Sequence, residues 1–149
     1  MCGTSMATEY NVKLKLVLRP VGTPWVRFGI DDHKQVKQLT TLTTVEWDFD
    51  ATEQACLTVE HFDKSDSDSS TAVEIVSIGF FGIEDPQFAW SGVYCPDYPR
   101  PWYSEQEQKP AHELPGQTYL GWNGVYSLTF DVPVFTWIHK TLNLGWIYN

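Results

Sequence analysis

A chain of 149 residues has the length of one ordinary domain, and with 19 acidic against 10 basic side chains its net charge is -9, a surface that a phosphate backbone repels. Nonspecific nucleic-acid binding is thereby excluded. Aromatic residues make up 15% and charged residues only 19%, a balance that excludes intrinsic disorder, and no apolar run approaches the roughly 20 residues needed to span a bilayer.

The opening residues 1–7 show no periodicity and are expected to be a flexible or extraneous end, leaving residues 8–149 as a single domain. No basic region followed by an apolar one stands at the N-terminus, so a soluble protein without a secretory signal is expected. Cys2, Cys56 and Cys95 are odd in number and form no CxxC pair, which fits a reducing compartment and not a disulfide framework.

Residues 10–18 put Tyr10, Val12, Leu14, Leu16 and Leu18 on one face and Asn11, Lys13, Lys15 and Val17 on the other, the alternation of a half-buried strand. Arg19 to Pro24 breaks that ladder with two prolines and a glycine. A second strand runs from Trp25 to Ile30, with Val26, Phe28 and Ile30 opposed to Trp25 and Arg27, and Asp31 to Lys34 supplies turn chemistry. Gln35 to Asp50 holds one or two strands, the later one alternating Val45, Trp47 and Phe49 with Thr44, Glu46 and Asp48. After a turn at Ala51 to Gln54, another strand sets Ala55, Leu57, Val59 and His61 against Cys56, Thr58, Glu60 and Phe62.

From Asp63 an acidic, serine-rich loop runs into the longest apolar strand, beginning at Ala72. Val73 and Ile75 occupy one parity and Val76, Ile78 and Phe80 the other, which predicts a central strand buried on both faces. Strands at short intervals without helical periodicity predict an all-β fold, an antiparallel β-sandwich of jelly-roll type. Between Glu84 and Thr118, Pro86, Pro96, Pro99, Pro101, Pro110 and Pro115 alternate with aromatic residues. Proline removes ladder donors, so this stretch is expected to be a long ordered loop packed on the sandwich or on a partner. Asn123-Gly124 suits a hairpin-type turn leading to a last strand with Tyr126, Leu128, Phe130 and Val132. Pro133 then opens a short C-terminal helix over 134–144.

Two groups of residues can carry binding chemistry. Asp63, Asp66 and Asp68, with Ser65 and Ser67, offer hard oxygens to a calcium ion, although the glycine and distal glutamate of a helix-loop-helix site are missing. The same residues also suit a solvated hairpin tip. Asp31 and Asp32 would complete a metal site if their turn lay at the same end of the sandwich. Trp90, Tyr94, Tyr98, Trp102 and Tyr103 can form a stacking platform for sugar rings, or they can roof the core or line a protein interface, and exposure decides between these. His33, His61, His112 and His139 are scattered, no nucleophile or phosphate-loop motif appears, and Glu84-Asp85 and Glu105 to Glu107 are carboxylate pairs of a kind any acidic protein offers. Enzymatic activity is therefore not expected.

Three stretches, VEWDFD, TVEHFDKSDSDSSTAVEIVSIGFFGI and YLGWNGVYSLTFDVPVFTWIHKTL, carry a resemblance that covers most of residues 10–144. The order of strands and the acidic loop resemble the small jelly-roll domains of calcium-dependent xylan-binding carbohydrate-binding modules. The tail is similar to that of short proteins of marine tailed phages. The resemblance implies a non-catalytic sandwich with a loop-borne calcium, matched here by Asp63, Asp66 and Asp68, that bridges protein and sugar hydroxyls. It further implies a bacteriophage virion protein, placed in the virion or host cytoplasm, that binds glycans or neighbouring subunits. The alternative is a purely structural capsid, neck or tail assembly protein, a homo-oligomer included, with no sugar or metal site. The insertion at 84–118 departs from the compact modules.

Overall fold

The computed structural model describes residues 9–65, 70–98, 104–108 and 111–142. Two antiparallel sheets pack face to face. One comprises β1 (Tyr10–Val21), β4 (Thr43–Ala51), β6 (Ala72–Phe80), β7 (Ile83–Glu84) and β10 (Tyr119–Leu120) in the order β10-β6-β1-β4, with β7 also paired to β6. The other runs β3-β2-β5-β11-β8-β9, built from β2 (Trp25–Ile30), β3 (His33–Gln38), β5 (Gln54–Phe62), β8 (Val93–Pro96), β9 (Leu114–Pro115) and β11 (Gly124–Asp131). Helices α1 (Pro86–Trp90) and α2 (Val134–Thr141) accompany the sheets. The expected antiparallel sandwich with a short C-terminal helix is what forms.

Alternation explains most of the core. Val12, Leu14, Leu16 and Leu18 of β1 face Val26 and Phe28 of β2, Leu57 and Val59 of β5 and Tyr126, Leu128 and Phe130 of β11, all buried between the sheets. The ladder of β1 does not end at Leu18 but continues to Val21, with Pro20 opposite Val73. Pairing with β4 stops at Leu18 and Thr43, so from there β1 is bonded on one side only, where a residue without an N–H is tolerated. The chain turns at Gly22, whose φ of 73° favours glycine.

Strand β6 corrects the expectation of two buried faces. Leu16 pairs with Ile78 and Val17 with Ser77, but Leu18 pairs with Ile75, leaving Val76 as the extra residue of a β-bulge. The bulge switches the parity of the strand. Val73 and Ile75 before it and Ile78 and Phe80 after it all face the core, while Val76 is exposed.

The proline-rich stretch contributes short pieces instead of one loop. Asp85 caps α1 by accepting a hydrogen bond from the Gln87 N–H at 2.9 Å, Pro86 fills the first helical position, and Phe88 is buried against Phe80. β8 and β9 then extend the second sheet. Asn123-Gly124 is not a hairpin turn: β10 lies in one sheet and β11 in the other, and the chain crosses between them. A Cβ at Gly124 would stand 2.5 Å from the Cys95 carbonyl oxygen, so close approach of β8 is what requires glycine there. Helix α2 ends at Thr141, inside the expected span, and buries Val134, Trp137 and Ile138.

Candidate functional site

Strand register brings several segments to one end of the sandwich. Trp25 at the start of β2 pairs with Phe62 at the end of β5, and Gly124 at the start of β11 pairs with His61 on one side and Pro96 of β8 on the other. The acidic loop leaves from Phe62 and the proline-rich stretch from Pro96, so Asp63 and Tyr98 emerge from the same end of the second sheet.

Asn123 ties this end together. Its Oδ1 accepts from the Lys64 N–H at 2.9 Å, and its Nδ2 donates to the Lys64 carbonyl at 2.9 Å. The Lys64 ammonium donates to the Gly121 carbonyl at 2.5 Å and stands 5.5 Å from the Trp122 ring centroid, a cation–π distance. Tyr98 meets Trp122 edge to face at 5.8 Å, lies 6.4 Å from His112 and donates its hydroxyl to the Ala111 carbonyl at 2.8 Å. Beneath them His61, fully buried, donates from Nδ1 to the Leu120 carbonyl at 2.9 Å and so links the two sheets under the crossing segment.

The five aromatic residues singled out in the sequence do not form one platform. Tyr94 is buried and belongs to the core: its hydroxyl donates to the Trp122 carbonyl and accepts from the Trp122 N–H at 3.1 Å, fixing that peptide from below. Trp90 is 58% exposed, but it ends α1, which precedes β8, whereas Tyr98 follows β8. Tyr98 is half-buried at the site, and Trp102 and Tyr103 lie outside the described residues. Sequence reasoning missed Lys64, Trp122 and Asn123. The Gly-Trp-Asn-Gly motif was the available signal, but it reads as a turn until the sheet order shows that it crosses between layers.

Among the aspartates, Asp63 is exposed with φ 60° at the base of its loop, and Asp66 and Asp68 lie outside the described residues. Asp31 lies away from Asp63, because Ile30 pairs with Leu57 and its turn sits at the opposite end of β5. There Asp31 accepts from the Cys56 N–H at 2.9 Å and donates its own N–H to the Cys56 carbonyl at 2.8 Å. Among the described residues no three histidine, cysteine or acidic side chains come together to hold a metal.

Other candidates have structural occupations. Glu84 accepts from the Ser77 hydroxyl at 2.9 Å and lies 3.7 Å from the Lys15 ammonium, while Asp85 caps α1, so this carboxylate pair is engaged in packing. A cleft of about 440 Å³ opens on the outer face of the first sheet beside Lys13, Lys15, Glu46, Asp48 and Glu84. Its opposite charges face water and offset one another.

Burial pushes the hydroxyl pKa of Tyr94 and of Tyr126 well above the usual tyrosine range, against the opposing effect of a backbone hydrogen bond in each. Both then stay protonated in the folded state at a pH where the unfolded chain ionises. Their contribution to stability is present below about pH 10 and is lost as the pH rises past it. Denaturant titrations from about pH 9 to pH 11 are expected to show this loss, and the paired Tyr94→Phe and Tyr126→Phe changes are expected to flatten it.

Compared with known proteins, the sequence matches no family model and no curated protein. The fold has counterparts among solved structures. The structure of vCBM60 in complex with galactobiose is similar with a TM-score of 0.50 and 15% identity, over 78% of this chain and 96% of that one. A second vCBM60 structure, described in connection with a circular permutation linking two families of calcium-dependent carbohydrate binding modules, gives a TM-score of 0.51 and 15% identity over 79% and 89%. At that identity the likeness is one of fold.

Proposed function

We propose that the chain is a non-catalytic glycan-binding module whose binding end is the one where Asp63, Lys64, Tyr98 and Trp122 converge. The observation that carries this reading is the half-buried Trp122, braced by Tyr98, Lys64 and the Tyr94 hydroxyl, at the end from which both chemistry-bearing loops leave. A pyranose presents apolar C–H faces to such rings and hydroxyls to the polar groups around them. The fold shared with a module solved with galactobiose supports the same reading. Asp66 and Asp68 continue the loop from Asp63 and would add carboxylates for calcium, and Trp102 and Tyr103 continue the second loop with further rings.

The test is a thermal melt with calcium, then with chelator, followed by titration with galactobiose and xylan oligosaccharides. A ligand bound only by the folded state stabilises it by mass action, by about 2.7 kcal/mol at a hundredfold excess over Kd, and so raises the melting temperature. Calcium followed by sugar is expected to give successive upward shifts, and Asp66→Asn with Asp68→Asn to remove the first. No shift with either addition and no binding would overturn the reading.

A second reading draws on Trp90, Ile83 and Phe135, which are 58%, 40% and 51% exposed, the last stacked on Phe81 at 4.9 Å. In it the chain is a phage virion subunit whose apolar side chains dock on neighbouring subunits. A defined oligomer by light scattering, without a response to calcium or glycan, would favour it.

A further inference from the structure

We infer that the outer face of the second sheet, beside the proposed binding end, is a platform that takes the further units of an uncharged oligosaccharide. The inference rests on the glycan-binding reading and extends it from a terminal sugar to a chain. Its centre is the Trp25–Phe62 pair, directly opposed in the β2–β5 register with ring centroids 6.4 Å apart. Both side chains point outward, since their neighbours Val26 and His61 are buried between the sheets. Trp25 remains 38% exposed although it belongs to an inner strand of the sheet.

A charged pair packs against the aromatic pair, its guanidinium over the Phe62 ring. The Arg27 guanidinium lies 4.8 Å from the Phe62 ring centroid and donates to Glu60 at 2.7 Å. Held this way, a planar donor fork and a carboxylate are presented next to an aromatic surface, a combination that suits sugar hydroxyls above a ring-stacked pyranose. The two charges cancel, so the platform offers donors and acceptors without a net field. On a chain of net charge -9, a polyanionic glycan would be repelled. Val36 beside Arg27 and Val125 beside Glu60 continue the row across four strands, which at about 4.8 Å between strands is longer than one sugar ring. Phe62 immediately precedes Asp63, so the platform and the binding end are continuous along the chain.

The experiment compares galactobiose with a galactohexaose of the same linkage on the intact, calcium-supplemented protein by calorimetric titration. The parent is expected to bind the hexaose more tightly. Trp25→Ala should weaken the hexaose about tenfold while leaving galactobiose unchanged, Trp25→Tyr should retain hexaose affinity, and Arg27→Gln should weaken the hexaose alone. Equal affinity of the parent for the two sugars, an unchanged hexaose affinity in Trp25→Ala, or equal losses for both sugars would overturn the platform and leave the binding end standing. No binding of either sugar by the parent would overturn both.

Discussion

Phe80→Ala is expected to lower the unfolding free energy by about 3–5 kcal/mol, the cost of removing a buried phenyl group from a site that cannot collapse. Phe80 is fully buried, and its ring meets Phe88 of α1 at 5.5 Å, Phe130 of β11 at 4.9 Å and Trp137 of α2 at 5.4 Å. Those neighbours belong to three different elements, each fixed by its own hydrogen bonds, so they cannot all move in to fill the void. A typical domain has about 5–15 kcal/mol of net stability, and a loss of this size takes a large share of it. Denaturant midpoints with an unchanged slope measure the loss. Val76→Ala on the same strand is the control: the bulge leaves Val76 41% exposed, so its change is expected to stay within about 0.5 kcal/mol. A Phe80→Ala loss no larger than the control's would show that the aromatic layer is not shared as described.

Asn123→Ala is expected to cost about 1–3 kcal/mol and also to abolish measurable glycan binding. The side chain satisfies both the N–H and the carbonyl of Lys64, each at 2.9 Å, in a partly buried setting. Alanine leaves both groups without that partner and frees the base of the acidic loop from the segment that carries Trp122. Two variants separate the effects. Tyr94→Phe removes the hydroxyl bonded to the Trp122 peptide and is expected to lower stability with a smaller loss of binding, because the Lys64 clamp remains. Val76→Ala should affect neither. Sugar titration beside denaturation reads both quantities, and retained affinity in Asn123→Ala would place the binding site elsewhere.

Most of the sheet residues were legible because alternation is a local property. Once Leu14 points inward, Lys13 and Lys15 must point outward, and β1, β2, β4, β5 and β11 follow from that rule. Where the rule failed, a long-range contact had intervened. The bulge at Val76 depends on how β6 meets β1, and Gly124 depends on how closely β8 passes. Tyr94 and Trp90 look alike in the sequence, yet one is buried beneath Trp122 and the other is exposed at the end of a helix. No local pattern separates them.

The sequence by itself determined the fold class, the acidic net charge and the place of the acidic segment between β5 and β6, because composition and a period of two act over a few residues. Only the tertiary structure decided which loops share an end. Strand order and register placed Asp63 with Tyr98 and Trp122, sent Asp31 to the far end of β5 and set Trp25 beside Phe62. The physical reason is that a site depends on residues far apart in the chain, whose proximity is set by the pairing of whole strands and by the burial that fixes each strand's register.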